Sequence, residues 1–237
     1  MLQSVLDQVA VLLPALQGQL AAPRNQQNDL PAELLTHWQA AQPQAGKLYW
    51  CARSWGMLMW QPAYLTVFAV YASRTALDLS GFWQDAQVGI TQGFTLPEEA
   101  AYRGAQHEII PAAAQFLLDY HQRQYAQLNT IYAYSAKQAA CMTVDCVLAA
   151  LLHAQQHYAW SNSELAAHSE AWLEALQWTR HGNLMFIPLH ENEIAALNRQ
   201  GCCQHFRIPG EEACSTCPRW PMPIRVEKIK SELTITE

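Results

Sequence analysis

The stretch Ile109-Ile110-Pro111-Ala112-Ala113-Ala114-Gln115-Phe116-Leu117-Leu118-Asp119-Tyr120 places Ile109, Ala113, Phe116, Leu117 and Tyr120 at helical spacing, and the pattern continues through Leu128 and Ile131. A second run, Ala140, Val144, Val147, Leu148, Leu151, Leu152 and Gln155, keeps the same period. Together they predict two long core-facing helices. Ser161 and Glu164 have the spacing of a capping box, which predicts a third helix through Leu165, Trp172, Leu176 and Trp178 that stops near Gly182.

Working toward the N-terminus, residues 2–20 read as one helix with a break near Pro14. Asp29 caps a short helix that enters at Pro31 and runs to about Ala41, and Gln42-Pro43-Gln44-Ala45-Gly46 reads as a loop. Residues 47–78 are apolar and aromatic. Because an interior proline removes one helical hydrogen bond and clashes with the preceding turn, Pro62 predicts two helices meeting near Gln61-Pro62. From Phe82 to Leu96 the helical period is lost, and Gly89 and Gly93 punctuate β-prone residues, which predicts a hairpin. Toward the C-terminus, a short apolar segment at Leu184–Leu189 contains Pro188, and a helix is expected at about Glu191–Arg199. The chain then enters its cysteines with no linker. Sparse glycine and abundant Ala, Leu and Gln agree with a mainly α fold. The expected organisation is a helical body over 1–198 with a small β-hairpin, and an irregular Cys-rich segment over 199–237 packed on that body.

A chain of 237 residues, 51% of them hydrophobic, can bury a sufficient core without disulfide staples. Its cysteines are therefore expected to serve chemistry. The start, Met1-Leu2-Gln3-Ser4-Val5-Leu6-Asp7, lacks a basic n-region, and no apolar run approaches the length of a membrane span. These features predict a cytoplasmic protein with no transmembrane segment. The net charge is −6 with 14 Lys and Arg, and no basic run is interleaved with aromatics, so nucleic acid is not an expected partner. No glycine-rich dinucleotide fingerprint follows a strand, which argues against direct hydride uptake from NAD(P)H.

Four of the seven cysteines fall within sixteen positions: the adjacent pair Cys202-Cys203, ten intervening residues, then Cys214-Ser-Thr-Cys217. Soft thiolates at such density suit zinc or an iron–sulfur centre. Structural zinc usually sits between two short C-x-x-C-type knuckles, and a contiguous pair departs from that pattern because two neighbouring side chains are hard to aim at one small ion. A [2Fe–2S] cluster spreads its ligand positions and is ordinarily held by four cysteines, so the spacing favours it. A redox-active Cys214–Cys217 disulfide is a third reading, although no βαβ pattern surrounds it. Cys51, Cys141 and Cys146 read as buried small hydrophobes. His153 and His157, four residues apart, have no carboxylate motif beside them and do not read as a second metal site.

The stretch from Arg199 to Arg219, with the cysteine pair, Phe206-Arg207-Ile208-Pro209, the ten-residue interval, the C-x-x-C and the preceding Arg199, resembles the C-terminal signature of the FhuF-like ferric-siderophore reductases. Fainter similarity extends to the aromatic helix around Trp50, Trp55 and Met59 leading to Pro62, and to Ile109-Ile110-Pro111 and Tyr132-Ala133-Tyr134-Ser135. The resemblance implies a [2Fe–2S] cluster on Cys202, Cys203, Cys214 and Cys217. It also implies one-electron reduction of a ferric siderophore of hydroxamate or citrate-hydroxamate type, with release of Fe(II). A cluster passing single electrons needs a separate donor, such as a ferredoxin, flavodoxin or reductase. Where the family often has Tyr, this chain has Phe206, and His205 lies inside the loop.

A ferric chelate requires an open, partly aromatic cleft with cationic or hydrogen-bonding groups. Candidates for that role are Trp50, Arg53, Trp55, Arg103, His107, Tyr134 and Lys137. The competing reading of the whole chain, taken from its residues alone, is a zinc-stabilised helical adaptor or binding protein without redox activity.

Overall fold

The computed structural model describes residues 2–24 and 29–234, and the fold is mainly α with small β elements. Helix α1 (Leu2–Leu12) buries Leu2, Val5, Leu6, Val9 and Leu12 on one stripe. It does not resume after Pro14. Gly18–Leu20 instead forms strand β1, so the single helix expected over 2–20 is corrected to a helix and a strand. Helix α2 (Leu30–Ala41) starts where expected, with Pro31 in its first turn; Asp29 contributes its backbone carbonyl to the helix start, to Ala32 N–H and Glu33 N–H, rather than a side-chain cap.

Helix α3 (Gly46–Ser73) passes through Pro62 without interruption, which corrects the expected pair of helices. The proline's cost is met by burial on every side: Trp55, Leu58, Met59, Gln61, Ala63, Leu65 and Phe68 are all enclosed. In the turn ahead of Pro62 the carbonyl of Met57 accepts hydrogen bonds from Thr91 Oγ1 at 2.9 Å and Gln84 Nε2 at 3.4 Å. Outside donors thus attach to the region where an interior proline strains the ladder.

Those donors come from the expected hairpin, β3 (Trp83–Gln87) and β4 (Ile90–Leu96), which pair antiparallel. Its two-residue turn places both Val88 and Gly89 at positive φ, 53° and 74°, as a turn that follows strand twist requires. Strand β1 adds to β4 in parallel, making a three-stranded sheet of order β1-β4-β3. The short strands β2 (Ala76–Leu77) and β5 (Ala101–Tyr102) pair separately.

Helices α4 (Gln106–Ile131) and α5 (Ala136–Tyr158) are the two long predicted helices. Trp55 Nε1 donates to Ala139 O at 2.9 Å near one end of the bundle, and the Phe68 and His153 rings meet 5.6 Å apart farther along, so α3 and α5 run parallel. Helix α4 runs against them, with His121 beside Thr143 and Tyr125 donating to Tyr134 O. The predicted capping box opens α6 (Asn162–Ala175): Ser161 Oγ accepts from Glu164 N–H, and Glu164 Oε2 accepts from Ser161 N–H at 2.8 Å. This helix ends before Trp178.

The helix expected at Glu191–Arg199 is instead strand β7 (Asn192–Asn198), antiparallel to β6 (Asn183–Leu189) around His190 at positive φ. Seven residues are too few for periodicity to separate a helix from a strand, and pairing with β6 decides it. Ile187 and Ala196 of this hairpin pack on Ile229 of α7 (Met222–Thr234). From the same helix Arg225 donates to Asn198 Oδ1 at 2.9 Å and to the carbonyl of Arg199 at 3.2 Å. The hairpin and α7 thereby flank the cysteine loop. Among the described residues no helix is long and apolar enough to cross a membrane.

Candidate functional site

The cysteine loop leaves β7 at Arg199, whose Nε donates to Asp145 Oδ2 of α5 at 2.9 Å. Gly201 then crosses α5 at close range. A Cβ there would lie 3.0 Å from both Cys141 Cβ and Met142 Cγ and 3.2 Å from the Met142 backbone nitrogen, so only glycine fits without displacement. Gln138 Nε2 of α5 donates to Cys202 O at 2.6 Å. Beyond the cysteine pair Gln204 takes a left-handed conformation, and a single 3-10 turn follows over His205–Arg207. Arg207 Nε donates back to Gln204 Oε1 at 2.9 Å, and His205 Nε2 lies 3.2 Å from Glu211 Oε2. The second pair sits on a tight turn closed by Cys217 N–H to Cys214 O at 3.0 Å. Just past it, the Arg219 guanidinium rests 3.9 Å over the Phe206 ring, a cation–π contact that spans the loop.

The four thiols gather as two pairs. Cys202 Sγ and Cys217 Sγ are 4.0 Å apart, and the Cys203 and Cys214 thiols lie near each other. Cys217 is buried and the other three are half-buried. Among the described residues, no three His, Cys, Asp or Glu side chains converge as a single bound ion would need. Interaction with the Cys214 thiol, helped by the His205 backbone N–H and the Arg199 charge, brings the Cys203 thiol down to about 5 despite burial; the same interaction, together with burial, pushes Cys214 up. Burial raises Cys202 to about 11, against the Gln204 backbone N–H.

Burial lifts the Asp145 carboxyl to about 6 even with Arg199 beside it. Burial disfavours the Arg199 cation too, but the nearby carboxylate and the Cys203 and Cys214 sulfurs outweigh it and raise the guanidinium above its ordinary value. The Arg199 cation thus lies beside the Cys203 and Cys214 thiols.

This donor set suits a thiolate-ligated cluster. Two sulfurs bound to one tetrahedral metal through bonds of ~2.3 Å stand about 3.8 Å apart, close to the 4.0 Å between Cys202 and Cys217. Two pairs of thiols suit a two-iron centre, since two irons need two pairs of thiolates whereas one zinc ion needs a single convergent set. Residues 199–219 match the protein family described as the FhuF 2Fe-2S C-terminal domain. The cofactor of this segment is a [2Fe–2S] cluster. The Cys214–Cys217 disulfide reading fares no better than zinc, because each cysteine of that motif has its thiol partner in the other motif.

The structure separates the residues proposed for substrate. Tyr134 and Lys137 line one cleft of about 370 Å³ at the cysteine end of the bundle, together with Leu48, Gln138, Cys141 and Gln204. Trp50 lies at the same end, half-buried, with Nε1 donating to Gln42 O at 2.7 Å. Arg53 sits 4.9 Å over the Trp38 ring. Trp55 is corrected to a core residue, 0% exposed. Arg103 and His107 are exposed around the start of α4, which packs beside the C-terminal end of α3 in a cavity lined by Tyr71, Arg74 and Ile109. That end lies about 28 Å along α3 from Ala52 of the cysteine-side cleft, so neither residue belongs to it. A second cavity beside the cluster loop, about 460 Å³, is bounded by Phe206, Glu211, Glu212, Arg219 and Trp220.

Asp145, Gln138 and Gly201 have no signal in the sequence that links them to the cysteines, because their roles arise from the passage of the loop across α5. An Asp inside an otherwise apolar helical run is the one hint available, since a buried carboxylate calls for a partner.

Proposed function

We propose that this protein is a cytoplasmic ferric-siderophore reductase in which Cys202, Cys203, Cys214 and Cys217 hold the [2Fe–2S] cluster. A bound two-iron cluster supplies one-electron transfer. The observation that carries the reading is the position of Gln138. Its side chain hydrogen-bonds the backbone of Cys202 and also lines the cleft that holds Tyr134 and Lys137. A chelate in that cleft rests against the loop that presents the thiols.

The roles of the chain's own groups follow from their chemistry. Lys137 is exposed and attracts the negative oxygens of an iron chelate. Gln138, with Gln200 and Gln204 along the same cleft, offers amides that can donate to hydroxamate or carboxylate oxygen and accept from siderophore N–H groups. Leu48 and Ala133 provide apolar contact. Reduction converts a hard trivalent ion into a softer divalent one that oxygen ligands hold less tightly, so one electron suffices for release. A separate ferredoxin, flavodoxin or reductase is the proposed source of electrons, in keeping with the missing dinucleotide fingerprint.

The test is a stopped-flow experiment. Dithionite-reduced protein, freed of excess reductant, is mixed anaerobically with a ferric hydroxamate and a ferrous trap. The cluster absorbance is expected to return with a rate that saturates in chelate, with one trapped Fe(II) per cluster. Reoxidation no faster than in buffer alone would exclude the reductase.

A further inference from the structure

The two cysteine motifs are each compact in sequence, so the simplest assignment would give one iron to the adjacent pair and the other to the C-x-x-C. The fold does not arrange them that way. Cys202 and Cys203 lie outside any helix, and the thiol beside Cys202 is that of Cys217. The turn that closes Cys214 onto Cys217 likewise sends its two thiols to different neighbours.

Resting on the ligand set proposed above, we infer that the motifs interleave: Cys202 and Cys217 bind one iron, and Cys203 and Cys214 bind the other. The Cys202–Cys217 separation of 4.0 Å is already that of two thiolates on a single tetrahedral metal. The Cys203 and Cys214 thiols also lie near each other, away from their neighbours in sequence. The two irons then have unlike surroundings. One pair contains the buried Cys217 and the cysteine whose carbonyl is held by Gln138. The other pair contains Cys203 and Cys214, both half-buried. Each iron is also bound by both motifs, so the cluster bridges the front and back of the loop twice.

Mössbauer spectroscopy of ⁵⁷Fe-loaded holoprotein tests the pairing. The wild-type oxidised spectrum first establishes the cluster; a protein without a diamagnetic diferric spectrum would defeat the ligand reading itself and the pairing with it. With the cluster present, the variant Cys202→Ser/Cys217→Ser is expected to keep one doublet at wild-type parameters. An equal second doublet should shift to higher isomer shift, because both oxygens fall on one iron. The variant Cys214→Ser/Cys217→Ser is expected to lose the wild-type doublet completely, because each iron gains one oxygen. The reverse outcome would assign each motif to its own iron. Loss of the wild-type doublet in both variants would pair Cys202 with Cys214. Either result overturns the inference.

If the double variants do not retain iron, the four single Cys→Ser holoproteins give an independent readout. Oxygen ligation keeps its iron ferric, so the added electron resides on the other. Reduced paramagnetic spectra are expected to fall into two classes, Cys202→Ser with Cys217→Ser and Cys203→Ser with Cys214→Ser. Any other grouping overturns the pairing.

Discussion

Arg199 Nε and Asp145 Oδ2 meet at 2.9 Å, and this contact joins the first residue of the cysteine loop to the middle of the longest-buried face of α5. The carboxylate is almost wholly enclosed, and its Oδ1 has no hydrogen-bond partner among the described residues. Removing the cation therefore leaves a charge with nowhere to go. Arg199→Gln is expected to cost about 3 kcal/mol at pH 8, measured by urea denaturation. The sign of its pH dependence is fixed by the elevated Asp145 carboxyl: at about 6 with Arg199 present, it rises further without it, so below that value the group protonates and the penalty shrinks. Equal losses at pH 5 and pH 8 would show that the pair does not control this region.

Lys137 lines the proposed substrate cleft and is exposed, at the start of α5. Lys137→Glu is expected to raise KM for an anionic ferric chelate by about fivefold, the equivalent of ~1 kcal/mol for a surface charge. The rate at saturation and the cluster spectrum should be unchanged, and high salt should erase the difference. A variant with unaltered KM would move the substrate to another face.

His121 is buried between Trp55 and Trp178, with ring centroids 4.9 Å and 4.7 Å away. Its Nδ1 lies 3.0 Å from Thr143 Oγ1, whose hydroxyl donates to Ala139 O, so the imidazole is assigned as the donor. Burial lowers its proton affinity to about 4, from the ordinary histidine value of 6.5. The unfolded chain thus binds a proton that the folded chain refuses. Its contribution is complete above about pH 6.5 and is lost as pH falls toward 4, amounting to roughly 3 kcal/mol. His121→Gln should flatten stability over that window even if it lowers stability at pH 7; an unchanged slope would show that other groups govern acid unfolding.

Gly201 offers a separation of fold from site. Gly201→Val drives its side chain into Cys141 and Met142, at an overpacking cost of about 1–3 kcal/mol. Because the loop can yield more easily than α5, the displacement should fall on Cys202 and Cys203. The expected result is normal helical circular dichroism with the visible cluster absorbance per chain strongly reduced. Full absorbance would mean that the loop accommodates the added bulk elsewhere.

Local chemistry of the sequence reaches some of these features and stops short of others. The helices α4 and α5 declare themselves by periodicity, the Ser161–Glu164 box by its spacing, and the β3–β4 turn by Gly89. Pro62 misleads because its penalty is local while the burial that overrides it comes from residues such as Trp55 and Phe68, packed by distant partners. The segment before Arg199 misleads because seven residues carry too little pattern, and its strand exists only through β6. At the site, the sequence shows the four sulfurs but not their partners: Cys202 is next to Cys203 in the chain and beside Cys217 in space. Among the substrate candidates, Tyr134 and Lys137 share a cleft, and Trp55, with the same aromatic character as Trp50, lies in the core.

The hydrogen bonds from Arg225 to Asn198 and Arg199, 27 and 26 residues away in the chain, have a thermodynamic consequence for metal capture. They hold the two ends of the thiol-bearing segment together through protein contacts. Closing a ring of that length from free chain ends costs roughly 3 kcal/mol in configurational entropy, and here α7 and the β6–β7 hairpin bear that cost when the protein folds. Incoming iron and sulfide then meet a pre-tied noose, so cluster uptake should be fast and local, with little refolding of the surrounding chain.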